Sequence, residues 1–146
     1  MNKAIAKPWG YYEDIFRSTE VVFKKIVVNP DSQLSLQTHS NRGEFWFVSS
    51  GTGFMVYNDL TKDLKPGDSM EIPRGFVHCL VNNGSEDLIV YEMQYGACSE
   101  DDIVRLDDKY GRGDESSLGM GVNGAACPIK ICDNLPKGKN DAKDCN

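Results

Sequence analysis

Histidine is scarce in this chain: His39 and His78 are the only two in 146 residues. Any chemistry that needs imidazole must draw on that pair. Long apolar runs are missing too. The start, MNKAIAKPWGYYED, lacks the apolar core of a signal peptide, and no other stretch is long enough to cross a bilayer. A cytoplasmic protein is the expectation. Positive charge is in deficit, with 16 Lys and Arg against 22 Asp and Glu and a net charge of −6. That balance excludes a broad basic surface for nucleic acid or anionic membrane, so an anionic ligand must be met by a local cluster of cations. The cysteines, Cys79, Cys98, Cys127, Cys132 and Cys145, are odd in number and come without an export signal. They read as reduced thiols rather than a disulfide framework.

Helical periodicity is also largely absent, and short alternating runs take its place. VVFKKIVV, QLSLQTH, EFWFVSS, GFMVYND, SMEIP, HCLVNN and LIVYEMQY are separated by NPDS, SSGTG, KPGD, PRG and NNGSED. Many short strands between closely spaced turn signals argue for an all-β sandwich or barrel. One short C-terminal helix is expected in SEDDIVRLDDKYG, where Ser99 can cap and the acidic first turn suits the helix dipole. From about Arg112 the composition shifts to Gly, Asn, Asp and Lys, with one β-like run, PIKIC. Residues 1–112 therefore read as the domain, and 113–146 as an irregular or partner-dependent tail. A zinc site on the three tail cysteines is the weaker reading, since the tail offers no histidine as a fourth ligand.

In a strand, residues i and i+2 share a face, so Gln37 and His39 project together. Glu44 follows SNRG, whose Gly43 suits a turn or bulge, and can return to the same side. His78 opens a strand after GDSMEIPRGFV, in which Gly67, Pro73 and Gly75 shape a strand–turn–strand unit. Two imidazoles, a carboxylate and an amide oxygen suit a borderline divalent cation such as Zn, Mn, Fe, Co or Ni. Taken singly, each of these residues is an ordinary strand-face side chain. Their joint spacing is more specific: Gln-x-His-x4-Glu-x6-Gly, then Gly-x5-Pro-x-Gly-x2-His-x3-Asn from Gly67 through Asn82.

These two segments resemble the paired motifs of the cupin superfamily, with Gln37 where many cupins carry a first histidine. KPWGYYED, FKKIVVNPDSQLSLQTHSNRGEFW, SGTG, IPRGFVHCLVN and SEDDIVRLDDKYGR further resemble the cupin domain of type II phosphomannose isomerases, over about residues 7 to 112. The resemblance implies a double-stranded β-helix, or jelly roll, enclosing one divalent metal ion on Gln37, His39, Glu44 and His78, with Zn favoured. It implies interconversion of mannose 6-phosphate and fructose 6-phosphate through an enediol. Arg42, Lys24, Arg105, Lys109 and Arg112 are its candidate phosphate ligands, with Lys24 rather than Lys25 turned inward. Arg42, Lys24 and Glu92 are the candidate catalytic groups, with Tyr91 a further proton carrier. A homodimer is expected because cupin strands often pair across subunits. The nucleotide-binding half of the bifunctional relatives is not seen, so no nucleotidyl transfer is expected.

Three positions depart from the family pattern. Ser40 and Asn41 stand where histidines follow the first, and Phe45 stands where another follows the glutamate. Histidine is the side chain best suited to moving protons near neutral pH. The departures keep two other readings open: a non-catalytic cupin that binds a sugar or sugar phosphate, and an epimerase or keto-isomerase acting on a nucleotide-linked sugar.

Overall fold

The computed structural model describes residues 2–99, 101–107 and 109–110. Arg112, the tail and its three cysteines lie outside the described residues. Among the described residues twelve strands form two sheets packed face to face. The first has the order β1 (Ala4–Lys7), β2 (Gly10–Arg17), β3 (Val21–Val28), β11 (Leu88–Gly96), β6 (Arg42–Ser50), β9 (Ser69–Ile72). The second has the order β12 (Val104–Asp107), β5 (Leu36–Thr38), β10 (His78–Asn82), β7 (Gly53–Tyr57), β8 (Leu60–Leu64), with β4 (Ser32–Gln33) pairing with β10. All pairings are antiparallel. Among the described residues no helix is long and apolar enough to cross a membrane.

Alternation decides what each strand sends into the space between the sheets. On β6 the inward residues are Arg42, Glu44, Trp46 and Val48, all buried, while Phe45 and Phe47 are 40% and 43% exposed. On β11 they are Leu88, Val90, Glu92 and Gln94. The register lays Glu92 between Trp46 and Lys24, and Gln94 beside Glu44. Ile26, Val28, Leu34, Met55, Leu80, Leu88 and Val90 fill one end of the interior. The other end is polar.

Local chemistry fixes the connections. β7 and β8 form a hairpin whose two-residue turn places Asn58 at φ 48°, a left-handed conformation that asparagine tolerates. Gly75, at φ 79°, turns the chain from β9 in one sheet to β10 in the other, and its N–H donates to the His39 carbonyl (2.7 Å). Asn82 closes the second motif as a buried anchor: its amide donates to the carbonyls of Val28 and Glu86 and its oxygen accepts from the Gly84 N–H.

Two local expectations are corrected. The helix expected in SEDDIVRLDDKYG is a strand, β12, which pairs with β5 through Val104 opposite Thr38 and Arg105 opposite Gln37. Ser99 does cap, accepting from the Asp101 N–H, but for a single turn only. The chain then extends because the open edge of β5 offers unpaired backbone groups. Gly43 is neither turn nor bulge but a strand residue; a Cβ there would lie 2.4 Å from the Tyr95 ring.

Candidate metal centre and pocket

The two motifs bring three ligating side chains together from three strands or their ends. One ligand atom from each of His39, Glu44 and His78 lies within 4.8 Å of the other two, and all three residues are buried. His39 Nε2 is 3.0 Å from Glu44 Oε1, and His78 Nε2 is 3.3 Å from Glu44 Oε2. Both Nδ1 atoms face backbone carbonyls, His39 that of Asp102 (2.6 Å) and His78 that of Phe76 (3.0 Å). A carbonyl only accepts, so each Nδ1 carries a hydrogen and each neutral ring turns its Nε2 lone pair toward the carboxylate. Acceptors held this close to an anion require a cation between them, either protons or a metal ion.

Titration tendencies agree with that geometry. Burial alone would raise the Glu44 pKa, but the charge of His78 and hydrogen bonds from both rings hold it well below the usual carboxylate range. Burial would lower His78, yet the Glu44 charge keeps it above its ordinary value. Both tendencies favour positive charge beside the Glu44 carboxylate. A divalent cation fits this donor set. Gln37 stands opposite His78 in the β5–β10 register, is buried, and lines the same interior.

In front of this cluster lies a cavity of about 100 Å³, which Glu44 also lines. Four cations reach it, Lys7, Lys24, Arg42 and Arg105, against the two carboxylates Glu44 and Glu92. A chain of net charge −6 therefore holds an electropositive pocket. Arg42 contacts the His–Glu–His cluster directly: Nε is 3.4 Å from Glu44 Oε1, Nη2 is 3.3 Å from His39 Nε2, and Nη1 donates to the Ser99 carbonyl. Lys24 is the inward member of its pair, with its ammonium 4.7 Å from the Tyr12 ring centroid. Glu92 accepts from Trp46 Nε1 (3.0 Å) and Gln94 Nε2 (2.6 Å). Burial, and next the Glu44 charge, raise its pKa to about 7. Four buried side-chain atoms among the described residues lack a hydrogen-bond partner, and three of them, His78 Nε2, Arg42 Nε and Gln94 Oε1, belong to this site. Such orphans mark a place built for a ligand.

Several sequence-level candidates stand elsewhere. Lys109 is exposed and donates to the Asp31 carbonyl, outside the pocket lining. Tyr91 faces the other side of the first sheet, stacked on Phe23. Arg112 lies outside the described residues. Ser40 and Asn41 are exposed, with their N–H groups donating to the Asp102 carboxylate, and Phe45 points out of the barrel. None of the three departures from the family histidines removes a group from the pocket. Conversely, Lys7, Trp9 and Tyr12 line it although sequence reasoning did not single them out. Their signal was KPWGYYED, read as resemblance rather than as a pocket wall.

Comparison with known proteins identifies the fold and the family. Residues 1–108 match the family described as Mannose-6-phosphate isomerase C-terminal. The chain is 39% identical over 113 residues to mannose-1-phosphate guanylyltransferase ManC of Salmonella typhimurium, covering 77% of this chain and 24% of that protein. It is 41% identical over 115 residues to the alginate biosynthesis protein AlgA of Pseudomonas aeruginosa, covering 78% and 24%. It spans about a quarter of the length of these relatives. Among solved structures, the capsular polysaccharide assembling protein CapF of Staphylococcus aureus superposes with a TM-score of 0.67 at 14% identity, covering 74% of this chain and 35% of that one. A cupin 2 conserved barrel domain protein from Salinispora arenicola gives 0.54 at 20% identity, covering 60% and 76%. The fold is the cupin double-stranded β-helix, and the chain belongs to the Mannose-6-phosphate isomerase C-terminal family.

Proposed function

We propose that this protein is a metal-dependent aldose–ketose isomerase acting on a sugar phosphate, with mannose 6-phosphate and fructose 6-phosphate as the pair. The observation that carries the reading is a pocket lined by four cations and by Glu92, a carboxyl that titrates near neutrality, with Glu44 on its wall belonging also to the buried His39–Glu44–His78 cluster. His39, Glu44 and His78, with Gln37, would hold the ion, with Zn favoured over Mn, Fe, Co or Ni. A divalent cation in such a site polarises substrate oxygens and stabilises the charge that develops on them. The names of the relatives, which include alginate and xanthan biosynthesis proteins, support a role in supplying sugars for polysaccharide synthesis.

The chain's own groups divide the remaining work. Arg42, Arg105, Lys24 and Lys7 offer the positive potential that a phosphate dianion needs, and the guanidinium groups can grip it in bidentate fashion. Glu92 is the proton carrier, since a carboxyl with a pKa of about 7 both gives and takes a proton at neutral pH. As carboxylate it takes the C2 proton. The C–H electron pair becomes the C1–C2 double bond, and O1 gains a proton. Returning a proton to C1 while the O2 hydroxyl loses one leaves the carbonyl at C2. Trp46 and Gln94 hold the carboxyl in place by their hydrogen bonds.

The test is incubation of zinc-loaded protein with mannose 6-phosphate and assay for fructose 6-phosphate, beside Glu92→Gln. Conversion that falls at least about a hundredfold in the variant, with metal content unchanged, supports the reading. Tight binding of the sugar phosphate without ketose would make this a binding cupin instead.

A further inference from the structure

The three orphaned atoms of the site make three different chemical demands. His78 Nε2 is a lone pair without a cation, Arg42 Nε is a donor without an aligned acceptor, and Gln94 Oε1 is an acceptor without a donor. Under the proposed function a divalent ion would answer the first and a phosphate oxygen the second. The third is left over. Gln94 is 2% exposed and stands on the pocket wall. Its register neighbours are Glu44 on β6 and Val22 on β3. A carboxylate only accepts and a valine side chain does neither, so neither neighbour supplies the missing donor. Glu92, on the same face of β11, fixes which way the amide points. One oxygen of that carboxyl takes the Trp46 indole N–H, and the other takes Gln94 Nε2 at 2.6 Å. The donor end of the amide is thereby spent, and its free end is an acceptor.

We infer that Gln94 Oε1 accepts a hydrogen bond from a hydroxyl of the bound sugar, and that this contact selects the sugar and orients it in the pocket. A phosphate dianion and a carbonyl oxygen present only acceptors, so neither can pair with Gln94. The phosphate is left to the cations, Arg42, Arg105, Lys24 and Lys7. Amide nitrogen and oxygen lie about 2.2 Å apart, which keeps Gln94 Oε1 within about 5 Å of Glu92 Oε1. The choice of hydroxyl rests on the isomerase reading. There Glu92 works at C1 and C2, whose oxygens exchange protons. The nearest hydroxyl that keeps its proton throughout is the one on C3. Gln94 therefore reads the C3 hydroxyl with one end of its amide while holding Glu92 with the other.

The test is calorimetry on the zinc-loaded, full-length chain with mannose 6-phosphate, its 3-deoxy analogue and inorganic phosphate. Wild type is compared with Gln94→Met, which keeps the length of the side chain and removes the amide oxygen. Wild type should bind the 3-deoxy analogue at least about tenfold more weakly than mannose 6-phosphate. Gln94→Met should lose a similar factor for mannose 6-phosphate, yet hold the analogue and phosphate within about twofold of wild type, with zinc content unchanged. A merely structural role would weaken all three ligands together. The wild-type comparison stands even where the variant fails to fold. Equal affinity of wild type for the two sugars, or mannose 6-phosphate bound no better than inorganic phosphate, would overturn the proposal. So would equal losses for both sugars in Gln94→Met, or loss of zinc from that variant. Ketose formation is read separately. The affinity difference without fructose 6-phosphate refutes the isomerase and keeps the contact, and fructose 6-phosphate without the difference does the reverse.

Discussion

Val48 and Arg42 stand on the same face of the same strand, both nearly closed to water, yet their surroundings have little in common. Val48 belongs with Val90, Leu88, Ile26 and Leu80 to the packed apolar end, whose buried Asn82 is fully hydrogen-bonded. Around Arg42 are Glu44, His39, Gln94 and Glu92, a buried end with orphaned atoms and perturbed carboxyls. Four strands change character along their length: on β6 Val48 and Trp46 give way to Glu44 and Arg42, on β11 Val90 to Glu92, on β10 Leu80 to His78, and on β3 Ile26 to Lys24, with Trp46 still level with Glu92 and Lys24. The apolar end stabilises the fold, whereas the polar end costs stability and is held in shape by it. Trp46 stands at the boundary, its ring buried and its indole N–H shared between Glu44 (3.2 Å) and Glu92 (3.0 Å).

The largest expected effect separates the two ends on one strand. His78→Ala should abolish metal uptake with modest loss of stability, measured by elemental analysis and thermal unfolding. Leu80→Ala, next inward on the same strand and fully buried, should cost about 2–5 kcal/mol by denaturant titration and keep one equivalent of metal. If both variants lose metal equally, the ends are not separable. Within the polar end, Arg42→Ala should weaken sugar-phosphate binding at least about tenfold by calorimetry, since removing a buried charged partner costs about 2–5 kcal/mol. Metal content should stay near one equivalent.

The third effect has a pH signature. Glu92 has a folded pKa of about 7 against an ordinary 4.5, so it holds its proton more tightly folded than unfolded. Its presence costs nothing below about pH 4 and most above pH 7, and stability falls as pH rises between them. In chelator-treated protein, Glu92→Gln should therefore stabilise at pH 8 by up to about 3 kcal/mol, with the gain fading toward pH 4. Equal gain at both pH values would remove Glu92's perturbed carboxyl from the account. The smallest effect is expected at Ser40→His, Asn41→His and Phe45→His. All three side chains face away from the cavity, so turnover should stay within about twofold of wild type.

How much of this was legible in sequence depended on whether a residue's neighbours lay along its own strand. VVFKKIVV and LIVYEMQY read as strands, but period two leaves Lys24 and Lys25, and Tyr91 and Glu92, as alternatives; the family resemblance favours Lys24, and the register settles Glu92. The ligand pair His39 and His78 was legible through spacing. β8 was not, because LTKDL is mostly exposed and is a strand chiefly by virtue of pairing with β7. β12 was misread because an acidic stretch after Ser99 satisfies every local helix rule, and the free edge of β5 outweighs them. Lys7, Trp9 and Tyr12 escaped because β1 and β2 reach the pocket from the edge of the first sheet, a relation no local window contains.

Asp102 ties these lessons together. Its carboxylate holds the N–H groups of Ser40 and Asn41, while its own carbonyl accepts from the imidazole of His39. The closing segment of the domain thus meets the candidate site through Asp102, beside the Ser99 carbonyl that accepts from Arg42. By reciprocal linkage, whatever free energy the docked segment lends to metal affinity, the metal returns to docking of the segment. Were a divalent ion held on His39, Glu44 and His78, its occupancy and the docking of this segment would be two readings of one equilibrium.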